Sequence, residues 1–204
     1  MPDKLILNKI NIIALIAGIS TLVLIAISVF VPWWQFTVGK PILAQVNFSP
    51  VNFNLAFLGS QVTIPLIWAT NLACFLTLLS GGIIMLIYSL KPNKSYSKKL
   101  LGFGYKQPLF AVILFVIELI ALTIVANSLA GFNVPLQGAG ALQIPQSMTQ
   151  GSGVNVSVNV LAALEWPFYF AVVVAGLCVT ARLYQPKKLT AVASTPTVAA
   201  MKIN

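Results

Sequence analysis

Four apolar stretches, each near the ~20 residues that carry an α-helix across a ~30 Å hydrocarbon core, alternate with loops along this chain, and nothing constrains its fold more. A backbone in lipid must satisfy every N–H and C=O internally, so such stretches fold as helices. They are expected at about 12–31, 65–90, 108–130 and 167–184. Pro65, Pro108 and Pro167 each stand at the start of one, where a missing N–H costs little and a fixed φ helps. Charge then orients the set. Of 12 basic residues, eleven (Lys4, Lys9, Lys91, Lys94, Lys98, Lys99, Lys106, Arg182, Lys187, Lys188 and Lys202) precede the first run, separate the second from the third, or close and follow the fourth. Only Lys40 falls on the other side. Basic residues flanking spans remain cytoplasmic, so a multi-pass protein of the cell membrane is expected, with both termini inside and two loops, about 32–64 and 131–164, outside.

With 58% hydrophobic and 7% charged residues and a mean hydropathy of +0.93, a chain of 204 residues is too apolar for a soluble domain. One four-helix membrane domain over residues 1–184 is expected, followed by a Thr/Ala/Ser/Pro-containing cytoplasmic tail, 185–204, with the composition of a mobile segment. A net charge of +9 would point to nucleic acid if it lay on one soluble face. Here the lysines flank spans, so the partner they imply is the lipid bilayer and not nucleic acid. No small-x-small cleavage site follows the first run before Pro32-Trp33-Trp34, so that run reads as a retained helix rather than a secretory signal. Cys74 and Cys178 both fall inside spans, which excludes a disulfide framework in the loops. The complete absence of histidine removes histidine-ligated haem, histidine-rich metal centres and Ser-His or Cys-His catalysis from what the chain can do by itself. Gly102-Phe103-Gly104 lacks the remaining glycine and the strand of a phosphate loop, and no cofactor is expected.

The outer loops are longer than hairpin connections and carry strand patterns. In Val154-Asn155-Val156-Ser157-Val158-Asn159-Val160, valines alternate with polar residues and share one face of a strand. Ala141-Leu142-Gln143-Ile144 is its expected hairpin partner, joined through residues 146–153. In the first loop, 35–38, 42–48 and 51–55 read as short strands separated by Gly39-Lys40-Pro41 and Ser49-Pro50. The expected fold is therefore mainly α: a four-transmembrane-helix bundle with a small extracellular β-layer from the two outer loops.

Glu118 is the sharpest candidate for function. It lies about eleven residues into the third run, near the middle of the bilayer, where an ionisable group is costly and functional by default. Ser20, Thr21, Thr77 and Ser80 stand at compatible depth to bond it. One reading is a proton-carrying, ion-binding or quinone-contacting carboxyl; the other is a protonated carboxyl bonding helix to helix. Glu165, before Trp166-Pro167, suits the positive N-terminus of the fourth helix, and Trp166 suits the membrane interface. Trp33 and Trp34 read as an aromatic anchor at that interface, or as rings packed under the outer strands. Ala14 with Gly18, Ser80-Gly81-Gly82 and Ala175-Gly176 offer smooth patches for close helix packing or for association between copies. Asn155 and Asn47 head N-x-Ser sequences for glycosylation, Asn47 being the poorer because Pro50 follows.

This arrangement, with a long strand-bearing first outer loop that contains Trp33 or Trp34, a second outer loop and both termini inside, resembles claudin and peripheral-myelin-type four-helix proteins. The loop cysteine pair of claudins is absent, so the resemblance implies a topology and not a paracellular barrier. The charge-poor, Asn-rich exterior without histidine is similar in composition to small membrane proteins of thermoacidophilic archaea. The expected function is non-enzymatic contact or assembly through the outer β-layer, with a protein partner or further copies of the chain. The alternative is an accessory subunit of a proton- or quinone-linked transport or respiratory complex that uses Glu118. No nucleophile–base pair favours an enzyme.

Overall fold

The computed structural model describes residues 10–51, 53–57, 60–62, 64–92, 94–129, 134–143 and 157–184. Its elements run α1 (Ile12–Phe30), β1 (Trp34–Val38), β2 (Ala44–Phe48), β3 (Phe53–Phe57), β4 (Ser60–Val62), α2 (Pro65–Leu90), α3 (Ser97–Gly104), α4 (Lys106–Leu129), β5 (Gly138–Gln143), β6 (Ser157–Leu164) and α5 (Trp166–Leu183). Four helices are long and apolar enough to cross a membrane: α1, α2, α4 together with the short α3 before it, and α5. Each long helix falls within two residues of its expected start. The basic connector, expected only as a link, instead contains the helical turns of α3. The tail from residue 185 lies outside the described residues.

Local chemistry sets the helix ends. Asn11 caps α1, its Oδ1 accepting from the Ala14 N–H at 3.0 Å, and its own N–H donates to the Ser89 carbonyl at 3.0 Å. The start of α1 is thereby tied to the end of α2. Proline occupies the first turn of both α2 and α5. The Ser97 hydroxyl donates to the Lys91 carbonyl at 2.5 Å, closing α3 back onto the C-cap of α2. In the bundle α1 packs on α2 and α5, and α4 packs on the same two, so α1 and α4 stand diagonally opposite.

The strands form one antiparallel sheet in the order β4-β3-β2-β1-β6-β5. Strands from the two loops thus meet in its middle, where Trp34 pairs with Leu164 and Val38 with Val160. The β1–β2 turn depends on Gly39, whose φ of 83° a side chain would oppose. The expected strand at 154–160 is observed from Ser157 onward and runs on to Leu164; Val154 and Val156 lie outside the described residues. Its hairpin partner is β5, with Leu142 opposite Val158. The three-residue β4 carries no pattern that the sequence alone distinguishes from loop.

Period-two alternation sorts the middle of the sheet. Trp34, Phe36, Phe48, Val160 and Ala162 are buried, whereas Gln35, Thr37, Leu161 and Ala163 alternate with them on the other face. The buried face belongs to the same core cluster as Phe115 and Leu119 of α4 and Val174 of α5, so sheet and bundle share one apolar interior.

Candidate functional site

Trp33 joins the parts. Its N–H donates to the Phe48 carbonyl at 2.9 Å and its carbonyl accepts from the Glu165 N–H at 2.9 Å, so one residue's backbone bonds to both loops. Its ring is fully buried, edge-on to Phe115 at 5.0 Å and to Phe168 at 6.3 Å. The indole N–H donates to the Ser28 hydroxyl at 2.7 Å, which in turn donates to the Leu24 carbonyl at 2.6 Å. Trp34 is also inside, stacked on Phe36 at 5.9 Å, and its N–H reaches the Leu136 carbonyl of the second loop at 2.8 Å. Of the two readings of these residues, the interfacial anchor is therefore corrected, and packing under the strands is the arrangement observed. An indole that finds an acceptor loses nothing by burial, and here both do. Among the described residues, the exposed aromatics at this end are Phe30, Trp68, Trp166 and Tyr169. Trp166, read from the sequence as suited to the membrane interface, is exposed, as is Trp68.

Glu165 occupies the N-cap position of α5 without the side-chain hydrogen bond of a cap. Its backbone makes the link to Trp33, so what ties α5 to the sheet is the peptide group rather than the carboxylate.

Glu118 sits nearer the sheet than expected. One turn before it, Phe115 stacks on Phe48 of β2 at 5.1 Å, and the carboxyl faces Thr70 and Cys74 in the first three turns of α2. The Thr70 hydroxyl lies beside the carboxyl but donates to the Ile67 carbonyl at 2.9 Å. Both Glu118 oxygens are buried with no hydrogen-bond partner among the described residues. On the neighbouring face of α2, the almost fully buried Asn71 likewise has an unpartnered Oδ1.

None of the four hydroxyls expected to bond Glu118 donates to it. Thr21 donates to the Ala17 carbonyl at 2.7 Å and faces Cys178 of α5. Thr77 donates to Ala73 at 2.7 Å and Ser80 to Thr77 at 2.9 Å, each within its own helix. Ser20 is half-buried on α1, the helix diagonal to α4. Depth counted from the borders misses the match because α4 and α2 are not level: α4 passes the sheet's underside, bringing its thirteenth residue opposite the first turns of α2.

The outward face of the sheet is amide-rich and uncharged at its centre. Gln35 and Gln45 each donate to Asn47 Oδ1 at 3.0 Å, so the Asn47 amide is held within a side-chain network. Asn155 lies outside the described residues. Among the described residues, no three side chains of His, Cys, Asp or Glu lie together as a metal site. No protein-family model matches the chain, and comparison with curated proteins finds no relative.

Proposed function

We propose that this chain is a non-enzymatic integral membrane protein of the cell membrane that acts in contact or assembly, with both termini cytoplasmic and the sheet on the outer side. The observation that carries this reading is the sheet itself. Both loops contribute strands, Trp33 secures them to the bundle, and the exposed face offers amides and hydroxyls instead of reactive groups. Its outermost strands, β4 and β5, each pair on one side only among the described residues. A strand edge of this kind accepts another strand, so a second copy or a subunit of a larger membrane or envelope assembly is the fitting partner. Exposed Phe30, Trp68, Trp166 and Tyr169 at one end, with Lys91, Lys94, Lys98, Lys99 and Lys106 at the other, match an aromatic belt and a positive-inside flank. Extraction in mild detergent followed by mass measurement tests the proposal. A multiple of the 21.9 kDa chain or a stoichiometric partner is expected, and a strictly monomeric species without one overturns it.

The unpartnered Glu118 oxygens favour a second reading, a proton- or quinone-linked accessory subunit. Glu118→Gln separates the two. Loss of proton-coupled activity with an intact fold supports this second role, while unchanged activity assigns the carboxyl to packing.

A further inference from the structure

At the end of the bundle opposite the sheet, Lys91, Lys94, Lys98, Lys99 and Lys106 are all exposed within one short stretch around α3. The two acids among the described residues are elsewhere, Glu118 inside the bundle and Glu165 beside the sheet. The stretch is firmly seated. Leu101 is fully buried, Gly104 lies against Ile84 of α2 so closely that a Cβ would come within 2.8 Å, and Ser97 is bonded to the C-cap of α2. The same stretch exposes two aromatic rings, Tyr96 just before α3 at 44% and Phe103 in its last turn at 53%. A short helix with its apolar side anchored in the bundle, lysines outward and aromatics beside them is built to lie at the headgroup level of a bilayer.

From this placement we infer that α3 and its flanks form a binding surface for the phosphate of an anionic membrane lipid. The lysines supply charge complementarity and Tyr96 and Phe103 reach the glycerol and upper acyl region. This goes beyond the general attraction of flanking lysines to a charged leaflet, because Lys98, Lys99 and Phe103 share one short helix seated in the bundle. It is also independent of the contact role of the sheet and of which face is cytoplasmic.

Native mass spectrometry of the full-length protein, released from nanodiscs of phosphatidylglycerol mixed with phosphatidylcholine, tests it. Phosphatidylglycerol is expected to be retained over phosphatidylcholine, and K98Q/K99Q is expected to weaken retention by about fivefold for each lysine removed, the effect of one basic residue at a charged surface. F103A should weaken it less. The equal charge change K187Q/K188Q in the tail should leave retention in place. Unchanged retention in K98Q/K99Q, or an equal loss in K187Q/K188Q, overturns the inference, the second outcome meaning diffuse attraction by net charge. Rising salt should release the lipid from the unmutated protein; retention indifferent to salt also overturns it, without relying on any variant.

Discussion

In the half of the bundle next to the sheet, the space between helices is filled by rings: Trp33, Phe115 and Phe168 meet one another, and Phe115 meets Phe48, at centroid distances of 5.0 to 6.3 Å. In the half next to α3, where Tyr88, Met85 and Leu101 are buried, several helix contacts are closed by residues without bulk. A Cβ on Gly18 would come within 2.9 Å of Leu86, on Gly82 within 3.0 Å of Leu22, and on Gly81 within 2.7 Å of Gln107. Ala14, Ala17, Cys178 and Ala181 are fully buried along α1 and α5 in the same half. Both halves are tightly packed, by opposite means. Rings fill the volume created where strands sit on helices, and they join three elements at once. Small residues let two helix backbones approach directly, which is the main source of helix attraction where lipid tails are as apolar as the side chains.

The contrast breaks most visibly at Trp33. Trp33→Ala removes a fully buried ring and the only indole bonded to Ser28, and should cost about 3–5 kcal/mol, read as a lowered unfolding midpoint in detergent titration. If the rings merely line the sheet, the loss will be no larger than that of an exposed Trp68→Ala. In the other half, Gly18→Ala should cost about 1–3 kcal/mol by forcing α1 away from Leu86, whose backbone nitrogen as well as its side chain stands in the way. Gly176→Ala sharpens the comparison with the smallest effect. It meets nothing within 4 Å and should leave stability unchanged or raise it by about a few tenths of a kcal/mol through helix propensity. A loss at Gly176 comparable to that at Gly18 would place a helix from another copy against α5 and give assembly a surface besides the sheet.

The glycine patches read from the sequence as serving either packing within the chain or association between chains. Gly18, Gly81 and Gly82 resolve to the first, since each has a named neighbour on an adjoining helix, whereas Gly176 is open. Spacing alone does not separate these cases, because a smooth helix face is the same signal whichever helix covers it. For Glu118 the sequence identified the residue but not its surroundings. Thr70 carries no mark that sets it above Thr77 or Ser80, and its match to Glu118 depends on how far α4 is shifted along α2.

Four long helices, their order, the hairpin partner of the valine-patterned strand and the placement of every lysine but Lys40 away from the strand-bearing loops are legible in the sequence. These are local properties: transfer of about 20 consecutive apolar residues into lipid, or the alternation of side chains along one strand, sums without reference to the rest of the chain. That β1 and β6 pair across more than a hundred residues, that Trp33 and Trp34 turn inward, and that Glu118 faces Thr70 depend on how distant segments pack. An indole is nearly as well placed at a membrane interface as in a core that offers its N–H an acceptor. What tips the balance is the presence of Ser28 and of the Leu136 carbonyl at the right distance, and that follows only once both loops have closed on the bundle.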